Sequence, residues 1–438
     1  MAKIELSITT DYVNTWDAWS GVRELVQNAK DAEVQFNAPM TIDWHNGKLR
    51  IQNDNVTLPR ESLLLGFSTK RDRDDLIGAF GEGYKIGVLA LLRCGHAVKI
   101  RSGDEVWVPS IQKSEKYSAD VLTFDIKGGN EKKNRIRVEV DGVTKEVWLE
   151  MKSRFLFLND LSSSRIQTAD GELLLSKEHQ TKIFVKGIFV QSNSKLKYGY
   201  NFVDARLDRD RKMLNSWELD WKTALIWEGA VRTRPDMLET LFTLAQEDEH
   251  DVKGFADQSE VSKSLSGEVA KIFRGKHGQN AIPVISTSQS RDVEQYGARG
   301  VIVQKSLNQI LVSTMGTADE AVKKLQAQVT KTLAWHELSL EQQRVLDGAI
   351  RLLGKHLPEC SLNMIDVVKF NNPNMCGRFS EGRVLVSDTI LYDFEETLAT
   401  LIHEFAHQHG GDGERSHVTA IEKTWCAVVK ELRAGVAA

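Results

Sequence analysis

The sequence lacks any apolar run of bilayer-spanning length, which argues against a helical membrane protein. Its opening residues, Met1-Ala2-Lys3-Ile4-Glu5, lack the long apolar core of a secretory signal, so a cytoplasmic location is expected. Cysteine is scarce: Cys94, Cys360, Cys376 and Cys426 are scattered through 438 residues with no paired metal spacing. That usage suits a reducing compartment and excludes a disulfide framework. Charge of one sign is also lacking. With 57 Lys and Arg against 61 Asp and Glu, the net charge of −4 gives no general pull toward nucleic acid. Local basic clusters such as Lys132-Lys133-Asn134-Arg135 read as solvated faces, so nucleic-acid binding stays open but is not indicated. No internal repeat is evident. What remains is a soluble composition, 41% hydrophobic and 27% charged, in a chain long enough for two to four domains. An α+β multidomain protein is expected.

Near the C-terminus stands His403-Glu404-Phe405-Ala406-His407, followed by Gln408-His409-Gly410-Gly411-Asp412-Gly413-Glu414-Arg415-Ser416-His417. Residues four apart share a helix face, so His403 and His407 can hold one metal ion between them. Glu404 sits where a general base for hydrolysis is expected. Asp393 and Glu396 read as a capping box opening the motif helix, with Phe394, Leu398, Leu401 and Phe405 as its buried face. Leu338 to Leu357 reads as a helix, and Met364 to Phe370 and Gly382 to Ser387 read as strands.

The N-terminal third carries a second chemistry. Trp16 to Ala32 reads as an amphipathic helix with Trp19, Val22, Val26 and Ala29 on its apolar face. Glu24, Asn28 and Asp31 form a polar stripe on it, whose simplest reading is a solvent-facing one. Leu49 to Asn55 reads as a strand ending in a polar turn, and Gly66-Phe67-Ser68-Thr69-Lys70-Arg71 follows. Then Gly78-Ala79-Phe80-Gly81-Glu82-Gly83 leads into an apolar helix, Ile86 to Leu92. Such glycines let backbone N–H groups approach a phosphate, and a helix N-terminus favours its charge.

The order Glu24-x-x-x-Asn28-x-x-Asp31, strand with Asn-Asp turn, Ser-Thr-Lys, then Gly-x-x-Gly-x-Gly resembles the GHKL ATPase superfamily of gyrase B, the large heat-shock chaperone, histidine kinases and MutL. The motifs span roughly residues 15 to 95, and Ser68-Thr69-Lys70 with Asp74-Asp75-Leu76 looks most like the MutL branch. The resemblance implies a Bergerat α/β sandwich that binds ATP. By it, Glu24 activates water for attack on the γ-phosphate, Asn28 binds Mg²⁺, and Asp31 supports the site. Gly78, Gly81 and Gly83 form the phosphate lid, with Lys70 and Lys85 near the phosphates. Thr181, opening Thr181-Lys182-Ile183-Phe184-Val185, matches the strand whose threonine helps hold adenine. The family's Asp-x-Gly-x-Gly is replaced by Asn53-Asp54-Asn55, so either Asn53 or Asp54 stands where adenine is read. No His precedes Glu24, which argues against the histidine-kinase branch. The gyrase and MutL branches imply an ATP-dependent homodimer, with Leu207-Asp208-Arg209-Asp210-Arg211-Lys212 as a candidate γ-phosphate contact.

The C-terminal pattern resembles zincin metallopeptidases, which implies bound Zn²⁺ and a protein substrate. In that group a strand near the motif binds extended substrate by β-addition, and Arg383 to Ser387 is the candidate. Gly410 falls at the metzincin glycine, but Gly413 stands where a third histidine would be. His417 resembles the later histidine of SprT-like proteases and is the favoured third ligand, ahead of Asp412 and then Glu422. His409 lies off the metal-facing side.

Between these regions, Asp141-Gly142 signals a hairpin joining strands at 135–140 and 143–148. Trp217 to Gln246 reads as helical and ends at an acidic run, Glu247 to Asp251. Residues 255 to 315 alternate helix and strand as a small α/β unit. The expected layout is a GHKL-type domain over 1–215, a helical connector over 216–253, a small α/β domain over 254–316 and a zincin-like α+β domain over 317–438. The leading functional expectation is an ATP-gated zinc metallopeptidase. The alternative is an ATP-dependent chaperone-like or MutL/gyrase-like clamp with a structural or inactive metal site.

Overall fold

The computed structural model describes residues 2–64, 83–129, 134–162, 164–205, 216–257 and 259–436. It is a mixed α+β structure in two compact units, Met1–Ser216 and Trp217–Ala438.

The first unit is built on a seven-stranded antiparallel sheet. Its strands are β1 (Ala2–Thr9), β2 (Met40–His45), β3 (Lys48–Asp54), β4 (Val98–Ser102), β5 (Glu105–Ser114), β6 (Ala119–Gly128) and β7 (Arg135–Asp141), in the order β1-β6-β5-β4-β7-β3-β2. Helices α1 (Ala18–Phe36) and α2 (Gly83–Arg93) pack against the sheet, burying Val22, Leu25, Val26, Val88, Leu89 and Leu91 with Ile51, Ile100 and Phe124. Asp17 caps α1 by accepting from the Ser20 N–H at 2.9 Å, a contact of the kind that contributes about 1 kcal/mol. Asn37, in the left-handed region at φ 50°, ends it. The helix thus starts two residues later and runs four residues further than the expected Trp16–Ala32.

The two helices touch closely. A Cβ on Gly21 would come within 2.8 Å of the Gly87 carbonyl, so the contact admits only glycine there. Arg93, at the end of α2, donates to the carbonyls of Thr10, Tyr12, Val13 and Trp16 at 2.9–3.0 Å. One guanidinium thereby pins the whole β1–α1 connection to α2.

The hairpin expected at Asp141-Gly142 does not form. β7 pairs with β3 on one side and β4 on the other, so neither edge is free for a strand from 143–148. Thr144 instead caps α3 (Lys145–Ser153), which buries Trp148 and Met151. A second, five-stranded sheet follows. It comprises β8 (Arg165–Gln167), β9 (Gly171–Leu174), β10 (Lys182–Val185), β11 (Ile188–Ser192) and β12 (Gly199–Phe202), ordered β11-β10-β12-β9-β8.

The second unit opens with α4 (Ser216–Thr233) and α5 (Leu238–Gln246). One continuous helix was expected over Trp217–Gln246, but Pro235 has no N–H to continue the ladder, and a short 3₁₀ turn at Pro235–Met237 separates the two. Beyond the acidic run the chain continues in a 3₁₀ segment, His250–Ala256, that buries Val252 and Phe255. Next come α6 (Ser259–His277), β13 (Ala281–Val284), α7 (Thr287–Glu294), β14 (Arg299–Ile302), α8 (Lys305–Met315) and α9 (Ala318–Gln326), with β13 and β14 parallel.

The last part has four strands, β15 (Val329–Leu333), β16 (Ile365–Phe370), β17 (Gly377–Ser380) and β18 (Arg383–Ser387), ordered β15-β16-β18-β17. Helices α10 (Leu340–Leu353), α11 (Phe394–Ala406) and α12 (Arg415–Val436) accompany them. Leu346, Leu353, Val384, Val386, Leu398, Leu401, Phe405 and Val428 form their shared core. Asp393 caps α11 through the Glu396 N–H at 2.9 Å, while the Glu396 carboxylate accepts from Cys376 Sγ at 3.6 Å. Phe394, expected on the buried face, is 38% exposed.

Candidate functional site

In the first unit the expected nucleotide residues gather around the middle of α1. Glu24 and Asp31 are buried, at 2% and 1% exposure, so the polar stripe faces inward and not to solvent. Burying two carboxylates of one helix costs several kcal/mol each unless they are partnered. Arg23 Nη2 lies 3.3 Å from Glu24 Oε1. The N-terminal residue of α2 meets the same carboxylate: a Cβ on Gly83 would land on Glu24 Oε2. Glycine at 83 is therefore what lets the α2 N-terminus and Glu24 share one spot. Asn28 donates from Nδ2 to the Glu24 carbonyl at 2.7 Å.

Asn53, at the end of β3, is 3% exposed and donates from Nδ2 to the carbonyls of Ala29 and Ala38 at 2.9 and 2.8 Å. Two carbonyls facing one end of the amide fix its orientation, since only the NH₂ end can satisfy both. The Oδ1 end then faces away from those two carbonyls as an acceptor. Asp54 is differently placed: its carboxylate lies 2.8 Å from Arg135 Nη2 and accepts from Gln52 Nε2 at 3.3 Å. Of the two alternatives at the turn, Asn53 is the one tied to α1.

Lys85 and Thr181 stand apart from this group in what the described residues place around them. The resemblance points Lys85 at the phosphates, but its ammonium is fully buried and donates to the carbonyls of Ser62 and Leu64 at 2.9 and 2.7 Å. It anchors α2 to the 3₁₀ turn at Arg60–Leu63. Thr181 precedes β10, which belongs to the five-stranded sheet, whereas the neighbours of β3 are β2 and β7. The strand it opens therefore does not pair with β3. Ser68, Thr69, Lys70, Gly78 and Gly81 lie outside the described residues, as do Leu207–Lys212.

In the second unit, α11 carries His403, His407 follows one turn later at its C-cap, and the first turn of α12 brings His417 to them. The ring centroids of His403 and His407 are 5.0 Å apart, those of His403 and His417 4.9 Å, and those of His407 and His417 4.3 Å. Asp412 joins from the loop, so that His403, His407, Asp412 and His417 each offer a ligand atom within 4.8 Å of the others. Glu422, the third alternative, is exposed on α12 and outside this cluster. His409 is exposed and lines a separate cavity of about 690 Å³ behind α11, with His356, Arg415 and Lys423.

The donor set fits a zinc ion. Bonds of 2.0–2.1 Å in a tetrahedron place ligand atoms about 3.3–3.4 Å apart. Asp412 Oδ1 lies 3.3 Å from His403 Nε2 and 3.5 Å from His407 Nε2. His407 Nδ1 lies 3.2 Å from the Gly410 carbonyl, a bond that puts its proton on Nδ1 and leaves the Nε2 lone pair for the centre. Burial pulls the His403 pKa down, and the neighbouring His407 and His417 reinforce that against Asp412. That shift favours the neutral form of the His403 ring, the form that ligates metal.

Glu404 stands beside this cluster, 4.0 Å from His407 Nε2 and 7% exposed. Burial pushes its carboxyl up to about 7, opposed by the Phe379 N–H and, more weakly, by His417 and Arg378. A carboxylate near neutrality can both accept and return a proton. β17 passes directly over it: a Cβ on Gly377 would be 2.9 Å from Glu404 Cγ and 2.7 Å from Thr400 Cγ2. β17 is also the edge of its sheet. The expected substrate strand, Arg383–Ser387, is β18 and lies inside, paired with β16 and β17. An added strand therefore has β17 to pair with, not β18. Sequence reasoning missed β17 because it is only four residues long and not strongly apolar (Gly377-Arg378-Phe379-Ser380).

No family model matches this sequence, and no curated protein matches it. Among solved structures, the chain is similar to the ATPase region of Saccharomyces cerevisiae topoisomerase II, both alone and bound to ICRF-187 (dexrazoxane). Each match has 13% identity and a TM-score of 0.28 over 39% of this chain. The chain spans 62% of the length of those structures. At that TM-score the likeness assigns neither activity nor partner to this chain. No helix among the described residues is long and apolar enough to cross a membrane.

Proposed function

We propose that this protein hydrolyses ATP at its N-terminal site and peptide bonds at its C-terminal site, with the first gating the second. The observation that carries the peptidase reading is the convergence of His403, His407 and His417 on one point with Glu404 beside it. Zinc, when bound by these residues, supplies Lewis acidity toward the carbonyl and the attacking water. Glu404 takes the proton of that water and returns it to the leaving amine. The free edge of β17 holds an extended protein substrate by main-chain pairing, and Gly377 brings that edge against Glu404.

At the N-terminal site Glu24 orients and deprotonates water for attack on the γ-phosphate, and Asn28 is the residue to hold Mg²⁺. Asn53 Oδ1 offers the acceptor that the adenine amino group needs, and Asp31 braces the site. Support comes from the inward burial of Glu24 and Asp31 and from the close seat of Gly83 on Glu24. Closure of an ATP-bound homodimer is the proposed gate.

These assignments are tested by metal analysis and ATPase assay on wild type, Glu24→Ala and Glu404→Ala. Zinc is expected in all three at equal stoichiometry, with ATP turnover lost only in Glu24→Ala. Wild type without zinc or without ATP turnover would remove the corresponding half of the proposal.

A second reading, an ATP-dependent clamp with a structural metal site, is favoured by one observation. Asp412 makes a fourth donor, and closed four-ligand sites are structural, whereas catalytic ones keep a position open.

A further inference from the structure

The C-terminal cluster contains one donor more than a hydrolytic centre uses, and the four donors are not held alike. His403 projects from α11, His407 from its C-cap, and His417 from the first turn of α12, where it is 2% exposed. None of the three can leave without moving a helix packed into the core through Leu401, Phe405 and Val428. Asp412 stands instead on the loop between those helices, flanked by Gly411 and Gly413, and its side chain is 76% exposed. Gly413 has φ 81°, a backbone state natural to glycine. Among the described residues, the only side-chain partners of the Asp412 carboxylate are the His403 and His407 rings, at 3.3 and 3.5 Å. Glu404, by contrast, stands at 4.0 Å from His407 Nε2 and receives the Phe379 N–H, so it is placed as a base and not as a ligand.

We propose that Asp412 is a displaceable fourth ligand. It closes the zinc centre in the resting protein and swings out with its glycine loop when a metal-seeking group of the substrate enters. The proposal rests on the zinc reading of this cluster. It also reconciles the four-donor geometry with a hydrolytic role: three imidazoles are permanent, and one carboxylate shares its position with the substrate. Because the side chain is 76% exposed and, among the described residues, has no ion-pair partner outside the cluster, removing it leaves the fold intact.

The test uses the full chain carrying Asp412→Ala, with His417→Ala alongside, and reads binding as well as turnover. Zinc affinity is measured by competition with a chromophoric chelator. Access to the open position is measured by calorimetric titration of the zinc-loaded protein with acetohydroxamate. For Asp412→Ala the expected result is zinc affinity lowered at least by the roughly tenfold that even an outer-shell partner carries. Acetohydroxamate is expected to bind about tenfold tighter or more, because it no longer competes with the carboxylate. Unchanged zinc affinity would overturn the proposal by showing that Asp412 is not a ligand. Weakened zinc with unchanged acetohydroxamate affinity would also overturn it, since the carboxylate would not occupy the contested position. Failure of the underlying reading has a different signature: wild type binds no zinc, and His417→Ala changes nothing.

Discussion

Each unit of this protein buries a glutamate against a glycine. In the first, Glu24 on α1 meets Gly83 at the start of α2, and in the second, Glu404 on α11 meets Gly377 on β17. The surroundings differ. Glu24 has a cation beside it, with Arg23 Nη2 at 3.3 Å. Glu404 is pushed up to about 7 by burial, with only weak cationic help from His417 and Arg378. The same residue type is given two different electrostatic surroundings by what is packed around it.

The comparison breaks most sharply at the two carboxylates. Glu404→Ala should lower peptide hydrolysis by about 10²–10⁴-fold, the range of a general base, while ATP turnover continues. Glu24→Ala should lower ATP turnover by a similar factor while zinc content, read by elemental analysis, is unchanged. Removing zinc with a chelator should abolish peptide hydrolysis and spare ATP turnover.

The glycines come next. Gly83→Ala forces a Cβ onto Glu24 Oε2, so ATP turnover should fall more than tenfold, in line with the cost of a misplaced catalytic group. Gly377→Ala meets Glu404 Cγ at 2.9 Å, a clash that Thr400 and the edge strand can partly relieve, and should cost peptide hydrolysis less.

A smaller effect tests the nucleotide turn. Asn53→Asp would restore an acidic residue at the family position, yet it would turn a carboxylate oxygen toward the carbonyls of Ala29 and Ala38. Losing both donor bonds should destabilise the first unit by about 2–4 kcal/mol, read by denaturant unfolding. Arg93→Ala should act similarly, at about 2–3 kcal/mol, by leaving four carbonyls of the β1–α1 connection without their donor. The second unit has no equivalent cost at Arg383, whose pairing with Asp366 is exposed to solvent.

What could be read from the sequence was whatever local spacing determines. The i, i+4 pair His403 and His407, the capping Asp393 and the stripe of Glu24, Asn28 and Asp31 follow from helix geometry. The strand at Lys48–Asp54 follows from alternation. Long-range packing decided the rest. The turn at Asp141-Gly142 has hairpin chemistry, but β7 is already paired on both sides, so the chain goes into α3. The four-residue β17 has no periodic signal, and its role depends on Glu404, some twenty-five residues later in the chain. Whether Glu24 faces solvent could not be told from its period, because the helix α2 that meets it lies beyond the glycine-rich segment. Lys85 looked like a phosphate ligand by position, and only the fold reveals the carbonyls of Ser62 and Leu64 that hold it. At the metal cluster, spacing offered His417 and Asp412 as alternatives, and the loop geometry brings both.

The central claim is that one chain couples the two glutamates. It is tested most directly by following zinc-loaded protein on a fluorogenic peptide library, with and without ATP, in wild type and in Glu24→Ala. The account predicts that ATP changes the cleavage rate of wild type and leaves Glu24→Ala at a single fixed rate. Equal rates in both proteins, whether ATP is present or absent, would contradict it.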